Sequence, residues 1–253
     1  MLTQIFFYFK LVIFTKKNFM LILSGKGHIM FKPELKTVFP DNNINYNICN
    51  EEFVELSTFL CEHFYAKQNL KGAINKCYLR KSVAEKLKKA ELSLPDGCRF
   101  KIYDGWRPFS VQKSLYDNYR KKVETSIPGL TDEEINDLTK LFVSPPLWDK
   151  KAGPVHTTGG AVDLTIVDKY GNEINMGTEF DRFKDTANTN YYELNNINEE
   201  VRNNRRLLYN AMLQAGFTNL PTEWWHFDYG NKFWAFYTGN DAIYDCNFEL
   251  EEL

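Results

Sequence analysis

Glu223-Trp224-Trp225-His226 sets a carboxylate and an imidazole three residues apart, in an aromatic run that continues through Phe227, Tyr229, Phe233 and Trp234. Upstream, His156-Thr157-Thr158-Gly159-Gly160-Ala161-Val162-Asp163 sets a second imidazole and a second carboxylate seven positions apart. Imidazole nitrogen and carboxylate oxygen both bind zinc, at about 2.0–2.2 Å. Two histidines and one aspartate leave such an ion an open coordination position, and the spare carboxylate has the chemistry of a general base beside it. Neither motif is specific alone. A His near an Asp is more often a hydrogen-bonded structural pair, and Glu-x-x-His among aromatics reads equally as a surface Glu beside a packed His. The conjunction counts because each motif supplies what the other lacks. The chain has four histidines, and two of them fall here.

The elements that carry these residues follow from periodicity. Glu51 to Tyr65 repeats Phe53, Leu56, Leu60 and Phe64 at helical spacing and predicts a helix. Ser82-Val83-Ala84-Glu85 is a capping box opening a helix to about Leu92. Pro95-Asp96-Gly97 is a turn. Arg99 to Tyr103 alternates as a strand, which Asp104-Gly105-Trp106-Arg107-Pro108 breaks. Helices are expected over Ser110 to Val123 and after the Thr131-Asp132-Glu133-Glu134 cap, the second ending before Pro145-Pro146. Residues 144–160 are loop, and Gly159-Gly160 lets the backbone bend so that a loop histidine and a strand carboxylate converge on one ion. Val162 to Val167 reads as a strand, with Val162, Leu164 and Ile166 on one face and Asp163, Thr165 and Val167 on the other. Glu199 to Ala215 is a helix closed by Gly216, and a final strand carries Glu223 to Tyr229. Helices and strands mix without a regular βαβ rhythm, which favours an α+β fold.

Composition narrows the function classes. Net charge is −2 over 253 residues, so there is no nucleic-acid footprint. Cys49, Cys61, Cys77, Cys98 and Cys246 are scattered, with no C-x-x-C pair, which argues against a disulfide framework or a cysteine zinc site. Unpaired thiols fit a reducing compartment, so a cytoplasmic location is expected. Residues 1–24 are apolar but interrupted by Lys10, Lys16 and Lys17, leaving runs too short for a stable membrane span. They imitate a signal peptide poorly. A peripheral helix, a true start at Met20 or Met30, and periplasmic export or membrane attachment through 1–24 stay open. Nothing in the pattern fixes an oligomeric state.

Five blocks, in order, carry a resemblance. They are Tyr103-Asp104-Gly105-Trp106-Arg107-Pro108; the stretch His156 to Thr165; Met176-Gly177-Thr178-Glu179-Phe180-Asp181; Asn204-Arg205-Arg206-Leu207-Leu208; and Gly216-Phe217 leading to Glu223-Trp224-Trp225-His226. In these the chain resembles the VanX-type D-alanyl-D-alanine dipeptidases, a family of zinc peptidases, from about Cys77 to Tyr229. The resemblance implies one zinc per chain on His156, Asp163 and His226, with Glu223 as catalytic base. It implies that Arg107 stabilises the transition state and that Asp181 binds the free ammonium of a small D,D-dipeptide substrate. It implies a single α+β domain over 41–253, with a central, mainly antiparallel sheet flanked by helices and a small closed cavity. Residues 1–40 then form an N-terminal extension of uncertain structure. Two departures stand out: Pro154 replaces a serine frequent in the family, and for the family's substrate-facing tyrosine Tyr46 is the nearest candidate.

Blander roles remain for several of these residues. Arg107 reads equally as a structural arginine capping turn carbonyls, and Asp181 as a solvated turn residue. Trp106, Trp224 and Trp225 read as core and cavity wall, His63 as structural, and Arg205-Arg206 as a solvated helix face or carboxylate clamp. Three functions are compatible with the sequence: a zinc D,D-dipeptidase, a related zinc carboxypeptidase or endopeptidase trimming larger peptidoglycan peptides, and an inactive peptide-binding module. Intact Glu223 and Arg107 argue against the third, since a binding module needs no base.

Overall fold

A computed structural model describes residues 43–140, 142–182 and 184–252, with two short strands before them. Those strands, β1 (Leu21–Leu23) and β2 (Ile29–Phe31), pair antiparallel. The expectations for residues 1–20 lie outside the described residues. After β1 and β2 come β3 (Phe53–Glu55), β4 (Leu60–Cys61) and α1 (Phe64–Lys67). Next come β5 (Tyr78–Arg80), α2 (Lys81–Glu91), β6 (Arg99–Asp104), α3 (Phe109–Ser126) and α4 (Asp132–Lys140). A 3-10 turn at Val155–Thr158 leads into β7 (Ala161–Val167). The chain continues through α5 (Tyr191–Leu194), α6 (Glu199–Gln214), β8 (Thr218–Asn219), β9 (His226–Asp228) and α7 (Lys232–Thr238).

Five strands form the central sheet in the order β4-β6-β7-β9-β8. Every pair is antiparallel except β4 with β6, so the α+β, mainly antiparallel expectation holds. β7 lies at the centre and is buried along its whole length. Val162, Leu164 and Ile166 share one core with Leu87 of α2 and with Leu208 and Met212 of α6. Each such side chain, wholly withdrawn from water, contributes about 1.5–3 kcal/mol. The other face of β7 carries Asp163 and Thr165, which are no less buried and need polar partners there.

Three local expectations are corrected. The helix expected over Glu51 to Tyr65 is two short strands, a turn and one helical turn. Phe53–Glu55 pairs with Tyr78–Arg80, and Leu60–Cys61 adds to the edge of β6. The helical spacing there was accidental, since Leu60 is 41% exposed. Ser82 does not cap α2, which begins at Lys81. Its hydroxyl and backbone N–H both donate to the Glu51 carboxylate, which satisfies an orphan donor of the first turn from outside the helix. The last strand starts at His226, leaving Glu223 in the turn before it. The Thr131/Glu134 capping box does form, with reciprocal bonds of 2.8 and 3.3 Å.

The Arg205-Arg206 pair divides between roles. Arg206 clamps the Glu193 carboxylate. Arg205 is 3% exposed and donates to three backbone carbonyls, those of Met176, Thr186 and Asn188, each at 2.8 Å. Its guanidinium lies over the Tyr192 ring. The residue therefore ties α6 to the irregular 176–188 segment. Arg205→Met should strand one buried and two part-buried carbonyls and lower unfolding free energy by about 3 kcal/mol, read as a reduced urea midpoint. An unchanged midpoint would show that the segment is held by something else.

Candidate active site

Strand register assembles the site. Asp163 on β7 stands opposite Asp104 on β6 and opposite His226 on β9. Side chains directly opposite on one face lie within reach of each other, so three polar groups line up across neighbouring strands. The fourth arrives from the 3-10 turn that holds His156 and ends at Gly159, whose φ is 73°. A side chain at Gly159 would also meet the Phe53 ring at 2.3 Å, so glycine is required twice over. The turn is stitched to the Arg107 loop. Arg107 N–H donates to the His156 carbonyl, Thr157 Oγ1 donates to the Arg107 carbonyl, and Trp106 Nε1 donates to the Thr157 carbonyl.

His156 Nε2 and His226 Nδ1 are 3.2 Å apart. His226 Nδ1 lies 2.9 Å from Asp163 Oδ1, and His156 Nε2 lies 3.3 Å from Asp163 Oδ2. All three residues are buried. Two ligands on one tetrahedral zinc, at about 2.0–2.1 Å each, sit about 3.3–3.4 Å apart, so the donor set fits that ion. The outer ring nitrogens agree. His156 Nδ1 is 2.9 Å from the Gly105 carbonyl, and His226 Nε2 is 3.1 Å from Asp228 Oδ1. Each acceptor claims the proton of the outer nitrogen and leaves the inner nitrogen's lone pair for a metal. Asp228 is fully buried and is itself held by Asn231 Nδ2 at 2.6 Å, the residue that caps α7. Burial pushes the Asp163 carboxyl up, but the two histidines more than offset this and hold it well below the usual range.

Glu223, Arg107 and Asp181 line the same cavity, of about 280 Å³. The turn at Glu223 matters, because residues three apart on a strand point to opposite faces. Here Glu223 Oε2 comes within 4.0 Å of His226 Nδ1. Burial raises the Glu223 carboxyl to about 7 and the Asp181 carboxyl to about 6. Asp181 adopts a left-handed φ of 60°, which Asp tolerates better than most residues. Arg107 is gripped on every side: Nε by Asp104 Oδ2 at 2.7 Å, Nη1 by Gln112 Oε1 at 2.8 Å, and Nη2 by Tyr65 OH at 3.3 Å and Asp163 Oδ2 at 3.5 Å. Burial opposes its charge, but Tyr65, Asp104 and Asp163 more than offset that, and the guanidinium stays protonated.

Six of the seven site residues expected from sequence converge. Tyr46 does not, since its hydroxyl donates to the Lys151 carbonyl and it is absent from the cavity wall. The aromatic hydroxyl at the site belongs to Tyr65, delivered by α1, where the wrong helix assignment hid it. Asp228 was missed as well, although His-x-Asp on a strand puts both side chains on one face and could have signalled it. Gln112 carried no sequence signal. Pro154 lines the cavity, while Trp225 walls it and Trp224 packs behind.

Two histidines and one aspartate within reach of one ion, with a half-buried glutamate beside them, make up the donor set of a mononuclear metallohydrolase. A sequence model of the D-ala-D-ala dipeptidase family, Peptidase_M15, matches residues 48–246. The chain belongs to that family of zinc metallopeptidases. The D-alanyl-D-alanine dipeptidase of Synechocystis sp. (strain ATCC 27184 / PCC 6803 / Kazusa) is 30% identical over 175 residues, 62% of this chain and 71% of that protein. That of Escherichia coli (strain K12) is 26% identical over 196 residues, 77% of this chain and 82% of that protein. Among solved structures, VanYB in complex with D-Alanine-D-Alanine aligns with a TM-score of 0.45 at 15% identity, covering 77% of this chain and 87% of that one.

The ligand assignment is open to direct test. Purified protein should hold about one zinc per chain, and His156→Ala, Asp163→Ala or His226→Ala should each lose it, since a site reduced to two ligands binds zinc poorly. Asp228→Asn should keep the ion but weaken its affinity by about 10–100-fold. Metal analysis during chelator titration reads both effects, and full retention in any alanine variant removes that residue from the set.

Proposed function

We propose that this chain hydrolyses the D-Ala-D-Ala dipeptide to two D-alanines. The observation that carries the reading is the convergence on one cavity of the three-ligand centre, Glu223, Arg107 and Asp181. His156, Asp163 and His226 would hold the zinc, which supplies the Lewis acidity that makes water a nucleophile near neutral pH. Glu223 takes the proton from the attacking water and delivers it to the leaving amine. Its burial suits both halves: a carboxyl raised towards 7 binds a proton more tightly than an ordinary carboxylate, yet near neutral pH it can still release it. Arg107 faces the negative charge that develops on the amide oxygen. Asp181 pairs with the substrate's ammonium and so marks a free N-terminus.

Glu223→Gln should retain zinc and fold but lose about 10²–10⁴-fold in kcat from the missing proton transfer alone. Steady-state kinetics on the zinc-loaded variant reads this, and a near-normal kcat would move the base elsewhere.

A second reading, a D,D-carboxypeptidase acting on longer wall peptides, has one observation in its favour. The cavity continues along α3 past Leu115 to Asn118, Tyr119 and Lys122, and Phe142 also lines it. Charge decides between the two. An acylated substrate leaves Asp181 unpaired and desolvated, at about 3–5 kcal/mol, or several hundred-fold and more in binding. D-Ala-D-Ala should therefore be cleaved and N-acetyl-D-Ala-D-Ala should not, and Asp181→Asn should narrow the gap. Efficient cleavage of the acetylated compound by the unaltered enzyme would select the carboxypeptidase. The five free cysteines favour action in the cytoplasm. No described helix is long and apolar enough to cross a membrane.

A further inference from the structure

Gln112 is an uncharged polar side chain on the first turns of α3, 2% exposed, and plays no part in metal binding or proton transfer. Its two amide ends point to different parts of the site. Oε1 accepts from Arg107 Nη1 at 2.8 Å, and Nε2 donates to the Ser144 carbonyl at 2.7 Å. Ser144 follows Phe142 and Val143, and all three line the cavity. One side chain thus joins the cation of the reaction to the wall opposite α3. Burying a primary amide is costly unless both its ends are bonded, and here both are.

The other grips on Arg107 differ in kind. Asp104 holds Nε and also lies 3.5 Å from His156 Nδ1, so it answers to the metal side. Asp163 is a candidate ligand, and its contact with Nη2 is long at 3.5 Å. Tyr65 shares that nitrogen at 3.3 Å. Nη1 has one side-chain acceptor among those described, Gln112, and this is the shortest bond to either terminal nitrogen. Without it the plane is held only through Nε and the two longer contacts of Nη2. We propose that Gln112 is a positioning residue for hydrolysis, fixing the plane of the Arg107 guanidinium and tying it in register with the Phe142–Ser144 wall. The proposal rests on the role given to Arg107 above.

A double-mutant cycle on zinc-loaded enzyme with D-Ala-D-Ala tests this. Gln112→Met keeps the bulk and removes both bonds. It should lower kcat about 10–100-fold, the size expected for losing a bond to a charged group, with zinc content unchanged. In an Arg107→Lys background, where no fork remains to orient, the same change should cost less than about threefold. Equal losses in both backgrounds would overturn the proposal, because damage to the fold adds independently. So would a wild-type kcat in Gln112→Met. Gln112→Glu, run in the same cycle, keeps an acceptor for Nη1 but turns an oxygen towards the Ser144 carbonyl. It should raise KM more than it lowers kcat, and the reverse split counts against the proposal. If Gln112→Met yields no folded protein, the Gln112→Glu cycle decides alone. Arg107→Lys with an undiminished kcat would overturn the role of Arg107 itself, an outcome separate from any result for Gln112.

Discussion

Crowded negative charge in a dry place is the constraint on which this structure depends. Asp163, Asp181 and Glu223 gather around one cavity, Asp104 stands behind Arg107 and His156, and Asp228 lies fully buried behind His226. Carboxylates so placed repel each other and lose hydration, so each must find a partner or take up a proton. The site uses both outcomes. Asp163 and Asp104 are paired, with the histidines and with Arg107. Glu223 and Asp181 have no such close partner among the described residues, and burial raises both. A divalent cation held by His156, Asp163 and His226 would offset part of the remaining negative charge.

The same constraint explains how the backbone is fastened. The Arg107 loop, the His156 turn and β9 each bring one charged or ligating group, and none is free to drift. Three hydrogen bonds stitch the first two together. Asn231 links the second-layer Asp228 to the start of α7, using its amide nitrogen for the carboxylate and its oxygen for the helix N–H groups. Arg205 does the same for the segment bearing Asp181, at a distance, through three carbonyls. Each is a case of one buried polar side chain satisfying several backbone groups at once.

Most of the cluster was legible in the sequence because the candidate ligands and the candidate base sit in short motifs whose spacing is set locally. His156 and Asp163 are separated by a turn that Gly159 announces, and the strand alternation of Val162 to Val167 tells which face Asp163 takes. Glu223 lies on a turn rather than on the strand expected for it, because Leu220-Pro221-Thr222-Glu223 closes a hydrogen-bonded turn with proline at its second position. The long-range pairs were not legible. Tyr65 reaches Arg107 only because residues 51–61 form strands, and those strands depend on partners at 78–80 and 99–104. Gln112 looks like any helix residue until the wall at Ser144 folds against it. Arg205 showed its charge but not its burial, because nothing in a helical repeat says that three carbonyls wait outside.

The register of the central sheet also fixes an order of events during synthesis. β9 inserts between β7 and β8 and is the last strand in the chain, so the sheet has no finished core until the ribosome has passed His226. Until then His156 and Asp163 are an incomplete pair, and Glu223 has no place to stand. Chains are made from the N-terminus at about 5–20 residues per second, so a growing chain spends several seconds with most of its domain emerged and none of its hydrolytic power. A chain that ends before β9 lacks both His226 and the strand that β7 pairs with on that side.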